Sequence, residues 1–243
     1  MIGCDCDTCR STDPRDKRWR TSVRVETDDG GSLLIDAGPD LRAQALAFDV
    51  RRVDAILFTH GHSDHILGLD DVRRFNSLQR RPMACYGDAP TLRDVRRAFG
   101  YVFDPSTPKG GGLPQLALFE VFGAFCIGRQ EIVPVPIFHG DRGILGLRLG
   151  PFAYLTDCSR IPDGSWALLE GLDLLVLDAL REAPHPTHFS LNEAIDAASR
   201  IGARRTCFTH MCHDLAHAAT CARLPAGMEL AYDGLVVDLG TRH

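Results

Sequence analysis

The sequence predicts an α+β fold, arranged as a four-layer αββα sandwich in a single domain of residues 1–243. Two observations support this prediction. Short apolar strands alternate with helical segments near both ends of the chain, and several consecutive strands lie between them. The triplet Phe-Thr-His also closes an apolar strand twice, at 58–60 and at 208–210, which indicates two similar βα halves. No long linker separates these halves, and a doubly wound single sheet is the alternative.

The first half begins with strands. Residues 20–27 alternate apolar and polar side chains, and residues 31–37 form an apolar run, so Asp29-Gly30 between them predicts a β-hairpin. The pattern then predicts, in order, a buried strand at 53–59, a helix at 66–75, a strand at 83–87 and a helix at 90–99.

The second half returns to alternating strands and helices after a run of short strands. Strands are predicted at 173–179 and 205–209, where the apolar runs end in polar residues. Between them, Ser190 followed three residues later by Glu193 is a capping box, which predicts the start of a helix at Ser190.

Composition indicates an ordinary folded protein. The 243 residues are 44% hydrophobic and 24% charged, which argues against a disordered, collagen-like or coiled-coil chain. The 27 Lys and Arg residues against 32 Asp and Glu residues give a net charge of −5, so the basic surface of a general nucleic-acid binder is not expected. We therefore expect no stable nucleic-acid binding.

The cysteines and the N-terminal sequence bear on location. Nine cysteines, an odd number scattered through a chain of this length, predict reduced thiols, some of them binding metal, and not a disulfide framework. The N-terminal sequence MIGCDCDTCR has no basic segment followed by an apolar stretch, and no later apolar run reaches the ~18 residues of a membrane span. We therefore expect a cytoplasmic protein without a membrane partner.

A histidine-rich motif follows the first buried strand. The segment from His60 to His65, HGHSDH, places three imidazoles and a carboxylate in six residues. Because side chains alternate in an extended segment, His60 and His62 are expected to point the same way and to bind one ion. Asp64 and His65 lie where the chain is expected to turn into a helix, so they are assigned to a second ion. A solvated histidine-rich turn is the alternative.

Three further candidate ligands lie at the ends of predicted strands: His139, Asp157 and His210. Any one of them alone is more often a structural residue. Imidazoles and carboxylates together suit Zn²⁺, Mn²⁺ or Fe²⁺, and a carboxylate such as Asp157 can bridge two ions about 3.5–4 Å apart. The joint pattern therefore predicts an active site with two divalent metals, for which we favour Mn²⁺ or Zn²⁺.

This order of residues, H-x-H-x-D-H after a strand and then an isolated His, an Asp and a last His, resembles the metallo-β-lactamase superfamily over nearly the whole chain. The resemblance implies the αββα fold and a metallo-hydrolase. It also implies that Asp36 supports the site, that Asp157 bridges the metals and that Asp64 is both a ligand and a catalytic residue. The implied ligands are His60, His62 and His139 for one metal, and Asp64, His65 and His210 for the other.

A second cluster stands at the N terminus and consists of three thiols within six residues, those of Cys4, Cys6 and Cys9. A Cys₃His zinc site needs one more ligand. We assign His213 to this position, with Cys212 and His217 as rivals. The sequence thus predicts one structural Zn²⁺ and an N-terminal zinc-binding arm of residues 1–19.

The N-terminal C-x-C-x-x-C and three later segments are similar to one subfamily, the phosphoribosyl 1,2-cyclic phosphate phosphodiesterases of the carbon–phosphorus lyase pathway. The segments are THMCH at 209–213, THFS at 187–190 and YDGL at 232–235. The similarity implies hydrolysis of a small cyclic phosphodiester by a metal-bridged hydroxide, with His188 as the catalytic residue that assists the leaving oxygen. His185 lies nearby, and His188 is preferred for its place two residues before the capping box.

Three alternative functions remain. A tRNA 3′-processing endonuclease shares the metal motif but usually adds a projecting arm and a basic surface. A mononuclear-iron thiol oxygenase of the same fold needs only two histidines and one carboxylate, and a non-catalytic zinc module needs only the cysteine cluster. The sequence also leaves open a homodimer and the choice of phosphate-binding arginines, for which the candidates are Arg73, Arg74, Arg80, Arg81, Arg93, Arg96 and Arg97.

Overall fold

The computed structural model describes residues 1–108, 110 and 112–240. Contacts within the chain divide it into two compact units. The continuous unit is Arg20–Glu131, and the discontinuous unit is Met1–Trp19 with Ile132–His243. Each unit combines a mixed β-sheet with helices, so the predicted α+β class is confirmed. The single domain of residues 1–243 stays a prediction.

The strands of the described residues are short. In chain order they are β1 (Val23–Glu26), β2 (Ser32–Ile35), β3 (Ala55–Leu57), β4 (Met83–Gly87), β5 (Leu116–Glu120), β6 (Phe125–Ile127), β7 (Gln130–His139), β8 (Arg142–Leu149), β9 (Phe152–Leu155), β10 (Leu174–Asp178), β11 (Arg205–Thr209) and β12 (Met228–Leu230).

The helices are short as well. In chain order they are α1 (Asp7–Arg10), α2 (Leu41–Ala47), α3 (Ser63–Ile66), α4 (Arg73–Gln79), α5 (Ala89–Ala98), α6 (Gly100–Phe103), α7 (Asp163–Trp166), α8 (Leu191–Ile201) and α9 (His217–Cys221). Turns of 3₁₀ helix lie at Pro14–Asp16, Leu69–Val72 and Ala167–Leu169. Within the described part of the chain, no helix has the length and apolar character needed to cross a bilayer.

The sheet of the continuous unit has the strand order β1-β2-β3-β4-β5. Strands β1 and β2 form the predicted antiparallel hairpin, and β2 to β5 run parallel. Every residue of β2 and β3 is buried, so these strands are covered on both faces. Because parallel strands end at the same edge, Asp36 after β2 and the histidine motif after β3 both lie at the carboxyl edge of this sheet.

In the sheet of the discontinuous unit, the strands β12, β11, β10, β9, β8 and β7 lie side by side in this order. Strands β9 to β12 run parallel, whereas β7, β8 and β9 are antiparallel neighbours. Asp157 follows β9, Asp178 ends β10 and His210 follows β11. The carboxyl edge of this sheet therefore also collects polar side chains.

Each unit has a hydrophobic core of its own. In the continuous unit, Leu34 and Ile56 of the sheet belong to the same buried cluster as Val95 of α5. In the discontinuous unit, Leu177 of β10 and Ala194 of α8 belong to one buried cluster. The apolar residues of α8 thus pack against the sheet of this unit.

Of two helix predictions made from the sequence, one is confirmed and one is wrong. The capping box is confirmed, because Ser190 and Glu193 each bond the backbone N–H of the other. The single helix predicted at 66–75 is wrong, since the chain forms α3, a 3₁₀ turn and α4 instead. The break falls at Gly68, whose N–H donates to the carbonyl oxygen of Ala37 at 2.8 Å and is withdrawn from the helical ladder.

Candidate functional site

The histidine motif gathers three imidazoles in the continuous unit. Helix α3 begins between His62 and Asp64, so the first two histidines precede the helix and the last lies within it. The ring of His60 has its centroid 4.5 Å from that of His62 and 4.2 Å from that of His65. The carboxylate of Asp64 lies 3.8 Å from His65 Nε2 and 3.8 Å from Arg20 Nη1. All four residues assigned to the motif are therefore close together.

Gly61 gives helix α5 room to approach this motif. A Cβ atom on Gly61 would lie 2.5 Å from Oδ2 of Asp94, much closer than real side chains allow. The backbone of Gly61 does not have the left-handed conformation that usually calls for glycine. The requirement at this position is therefore space.

Asp36 is the fully buried carboxylate behind the motif. It accepts hydrogen bonds from the Thr59 N–H at 2.9 Å, the Thr59 hydroxyl at 2.7 Å and His65 Nδ1 at 2.8 Å. Because the Thr59 hydroxyl donates to Asp36, it accepts from His60 Nδ1, which lies 3.1 Å away. His60 and His65 therefore carry the proton on Nδ1 and the lone pair on Nε2, as metal-binding imidazoles do.

A second cluster lies at the carboxyl edge of the sheet in the discontinuous unit. Asp157, His188 and His210 each offer a ligand atom within 4.8 Å of the other two. The rings of His188 and His210 stack with centroids 4.9 Å apart, and the ring of His139 lies 4.7 Å from that of His188. His188, which the subfamily resemblance assigns as the proton donor, thus lies among candidate metal ligands.

The imidazole of His139 is held in a defined form. Its Nδ1 lies 3.0 Å from the carbonyl oxygen of Asp157 and 2.8 Å from that of Thr187. Since both partners are acceptors, Nδ1 carries the proton and the lone pair is on Nε2. Burial lowers the pKa of His139, which favours the neutral imidazole that binds metals.

Asp178 lies beside the second cluster and is not among the candidates predicted from the sequence. Its fully buried carboxylate lies 3.2 Å from His188 Nδ1 and 3.5 Å from His210 Nδ1, and it accepts the N–H of Phe189 at 3.0 Å. Burial raises the pKa of Asp178 well above its usual range, and the nearby His210 opposes that shift. The sequence does contain a signal for Asp178. The triplet Leu-Asp-Ala at the end of β10 resembles the triplet Ile-Asp-Ala that contains Asp36 at the end of β2.

Left-handed backbone conformations mark three of these residues. Asp36, Asp157 and His210 have φ values of 60°, 55° and 60°. For residues other than glycine this conformation costs roughly 1–2 kcal/mol, although aspartate tolerates it better than most. All three stand where a buried strand ends and the chain turns. Such strain persists where the surrounding structure holds the side chain in one place, which is typical of functional sites.

The two candidates for proton donor differ in their contacts. His185 Nδ1 accepts the N–H of Thr187 at 3.3 Å, and burial lowers the pKa of His185. His188 forms a hydrogen bond with Asp178. The ring centroids of His188 and His185 lie 5.2 Å apart. The structure therefore gives His188 the buried carboxylate that can hold its Nδ1 proton.

The N-terminal cysteines form a third cluster with one histidine. Cys4, Cys6, Cys9 and His213 each offer a ligand atom within 4.8 Å of the others, and His213 Nδ1 lies 3.3 Å from the sulfurs of Cys4 and Cys6. The hydrogen bond with His213 lowers the pKa of Cys6, which favours the thiolate. Three cysteine sulfurs and one imidazole form a donor set that fits tetrahedral zinc.

The two rival ligands lie outside this cluster. The sulfur of Cys212 accepts the N–H of Asp214 at 3.4 Å. His217 is buried, and its Nε2 lies 3.1 Å from the carbonyl oxygen of Leu230, to which it donates. Of the three candidates, only His213 stands beside the cysteines.

Polar contacts hold the arm of residues 1–19 against the segment that carries His213. The guanidinium of Arg18 donates to the carbonyl oxygen of Cys212 at 2.7 Å and also to that of Leu215. Asp16 accepts the backbone N–H of His217 at 2.7 Å. The cysteines are thus brought to His213 by contacts that do not involve sulfur.

Comparison with known families matches residues 32–211 to the beta-lactamase superfamily domain. Among curated proteins, an octanoyltransferase of Porphyromonas gingivalis is 36% identical over 236 residues. The match covers 96% of this chain but 48% of that protein. The chain therefore spans about half the length of this curated relative.

Two solved structures extend the comparison. A new diphosphatase from the PhnP family is 44% identical, with a TM-score of 0.91, and the match covers 98% of this chain and 92% of that one. The Zn²⁺-bound PqqB of Methylobacterium extorquens is 22% identical, with a TM-score of 0.74, and the match covers 98% and 95% of the two chains. At that identity the second likeness concerns the fold alone.

The contacts of Asp36 predict that Asp36→Asn weakens metal binding by about 10–100-fold, the range seen when a group supporting a ligand is changed. Asparagine has the size of aspartate and tolerates the left-handed backbone of this position. Its NH₂ group, however, cannot accept the hydrogen bonds that the Thr59 hydroxyl and His65 Nδ1 donate to Asp36. Chelator competition measures the affinity, with Asp28→Asn, an exposed turn residue, as the control. Equal affinities in both variants contradict the assignment.

The cysteine cluster predicts that Cys6→Ser lowers stability more than turnover per folded molecule, because a bound zinc ties the N-terminal arm to the rest of its unit. Each kcal/mol lost lowers Tm by about 2–4 °C in a chain of this size. Calorimetry and zinc analysis measure the effect, with the exposed Cys126→Ser as the matched control. Unchanged Tm together with unchanged zinc content rules out the structural site.

Proposed function

The chain belongs to the beta-lactamase superfamily, and we propose that it is a metal-dependent phosphodiesterase whose substrate is a small cyclic phosphodiester of the phosphoribosyl 1,2-cyclic phosphate type. The metallo-β-lactamase fold predicted from the sequence is confirmed with the family. The choice of a cyclic sugar phosphodiester rests on the subfamily segments of the sequence and on the contacts of His188.

The proposed ligands of two divalent metals are the seven candidates that the sequence pattern indicates. These ligands are His60, His62, Asp64, His65, His139, Asp157 and His210. When bound, the two ions activate a water molecule and neutralise charge on the phosphate. The support from the structure is the proton on Nδ1 of His60, His65 and His139, which presents Nε2 as the ligand atom.

The pair formed by His188 and Asp178 is the observation that carries the proposal. Asp178 lies 3.2 Å from His188 Nδ1, so a protonated His188 keeps one proton on this atom and transfers the other from Nε2. The departing oxygen of a sugar ester is strongly basic and needs such a donor. The other oxygen of Asp178 accepts the N–H of the next residue, Phe189, at 3.0 Å, which holds the carboxyl in place beside the ring.

Hydrolysis of a phosphoanhydride is a second candidate, because the protein with 44% identity is described as a diphosphatase. The leaving group of that reaction is a phosphate, which is a much weaker base than an alkoxide. It gains little from a positioned proton donor. The His188–Asp178 pair therefore favours the ester over the anhydride.

The two candidates are tested by comparing kcat/KM of the metal-loaded chain on four substrates. These are a ribosyl 1,2-cyclic phosphate, a 2′,3′-cyclic nucleotide, a dinucleoside diphosphate and a precursor tRNA. We expect the highest value on the ribosyl 1,2-cyclic phosphate. A highest value on the dinucleoside diphosphate establishes the anhydride reaction instead, and preferred cleavage of the tRNA identifies a processing endonuclease.

The proposed role of His188 predicts that His188→Ala retains both active-site metals and loses about 10²–10⁴-fold in turnover on an ester with a basic leaving group, the range of general acid catalysis. The loss is expected to shrink on an activated aryl phosphodiester, whose leaving group needs no proton. Elemental analysis and kcat on the two esters measure this, with His185→Ala as the neighbouring control.

Three results contradict this role. Equal losses on both esters indicate substrate binding by His188. Loss of a metal makes His188 a ligand, in line with its position beside Asp157 and His210. A larger effect of His185→Ala transfers the proton donation to that residue.

A further inference from the structure

A cavity of about 580 Å³ in the continuous unit is lined by arginines. Its lining includes Arg73, Arg74, Arg80 and Arg81, together with Asn76 and Gln115. We call it the arginine pocket. Its volume lies within the range of sites that hold small ligands.

The arginine pocket lies at the opposite edge of the sheet from the histidine motif. Arg80 and Arg81 precede β4, and Gln115 precedes β5, so the pocket is at the amino edge of these strands. The motif follows β3 at the carboxyl edge, and β3, β4 and β5 run parallel. A five-residue strand such as β4 spans roughly 16 Å. The pocket is therefore separate from the histidines of its own unit.

The charges around the arginine pocket are unbalanced. Arg73 pairs with Asp70 at 2.8 Å, and Arg81 pairs with Asp54. Arg74 and Arg80 make no ion pair with any residue that the structure describes, and the described lining contains no carboxylate. Four guanidinium groups thus stand against two carboxylates. The net charge of −5 for the whole chain hides this local excess of positive charge.

Asn76 joins the two walls of the pocket. This buried side chain donates from Nδ2 to the carbonyl oxygens of Arg81 at 3.0 Å and Gln115 at 3.1 Å. Its Oδ1 accepts the N–H of Gln115 at 2.8 Å. The turn that carries Arg81 is thereby joined to the start of β5.

Arg80 stands where glycine is the usual residue. It follows α4 with φ of 54°, the left-handed conformation that commonly ends a helix with glycine or asparagine. Its side chain makes no ion pair with a described residue. The helix dipole favours a cation at this end of α4 but does not require a left-handed arginine, so the guanidinium of Arg80 is kept at a backbone cost that glycine would avoid.

We propose that the arginine pocket binds small phosphate-bearing anions with two or more negative charges. Guanidinium groups bind phosphate oxygens through paired, charge-assisted hydrogen bonds, and their planar geometry suits this ligand better than that of lysine. Single exposed ion pairs contribute little, but several guanidinium groups on one multivalent anion act together. Arg93, Arg96 and Arg97 lie on α5 and do not line the pocket, so the proposal selects four of the seven candidate arginines.

The first experiment measures binding of inorganic phosphate to the metal-loaded chain by calorimetry. Phosphate is expected to bind both to the active-site metals and to the arginine pocket. The arginine variants identify which of the two binding events belongs to the pocket. We expect Arg74→Gln/Arg80→Gln to weaken that event about tenfold or more, as expected for the loss of charged hydrogen bonds. Arg93→Gln, an exposed arginine outside the pocket, is the matched control and is expected to bind as the unchanged chain does.

Arg80→Gly separates binding from folding. Glycine relieves the left-handed strain, so this variant is expected to unfold at the same temperature or higher and still to lose phosphate affinity. A tungstate soak of crystals of the unchanged chain locates the anion directly, with tungsten expected beside Arg74 and Arg80. Hydrolysis without added phosphate is expected to be unchanged in these variants, so the outcome does not depend on the proposed function.

Three results overturn the proposal. The first is equal phosphate binding by the double variant and the unchanged chain. The second is absence of tungsten from the arginine pocket when it is present elsewhere. The third is arginine-dependent binding of a short single-stranded RNA without a second phosphate event, which makes the pocket part of a nucleic-acid surface.

Discussion

Buried carboxylates that face imidazole Nδ1 atoms are the constraint on which the candidate site depends. Asp36 and Asp178 are both fully buried, and each ends or follows a central strand of its own sheet. A buried carboxylate is stable only where donors surround it, and here the donors are backbone N–H groups and histidines. The same hydrogen bonds that stabilise the carboxylate set the tautomer and orientation of His65 and His188. Folding of the sheet and preparation of the site are therefore one process.

The two units build this arrangement in related but different ways. The triplet Phe-Thr-His occurs at the carboxyl ends of β3 and β11. A second pattern, a hydrophobic residue followed by Asp and Ala, occurs at the carboxyl ends of β2 and β10. In the continuous unit, the hydroxyl of Thr59 connects Asp36 to His60. In the discontinuous unit, Asp178 faces His210 directly at 3.5 Å, and it also bonds His188. Repeated sequence patterns thus mark equivalent places in two sheets without giving them identical chemistry.

The sheet of the continuous unit places opposite chemistries at its two edges. Imidazoles and Asp36 stand at the carboxyl edge, where parallel strands of open sheets usually present ligands. Guanidinium groups stand at the amino edge, where the turn after α4 and the start of β5 are joined by Asn76. Since the rigid strands keep these edges apart, one small sheet can support a metal site and a separate anion site.

Local patterns in the sequence determined the strands at 83–87 and 205–209, the helix that begins after Ser190 and the grouping of the histidine motif, because alternation, capping and ligand spacing are properties of neighbouring residues. Only the tertiary structure revealed the contact between Asp178 and His188, which are ten residues apart, and the position of His213, and not of its rivals, beside the N-terminal cysteines. His213 lies 209 residues from Cys4, and no periodicity reports a contact of that separation. Such choices depend on how strand ends and loops are brought together when the sheets form, which sequence spacing does not encode.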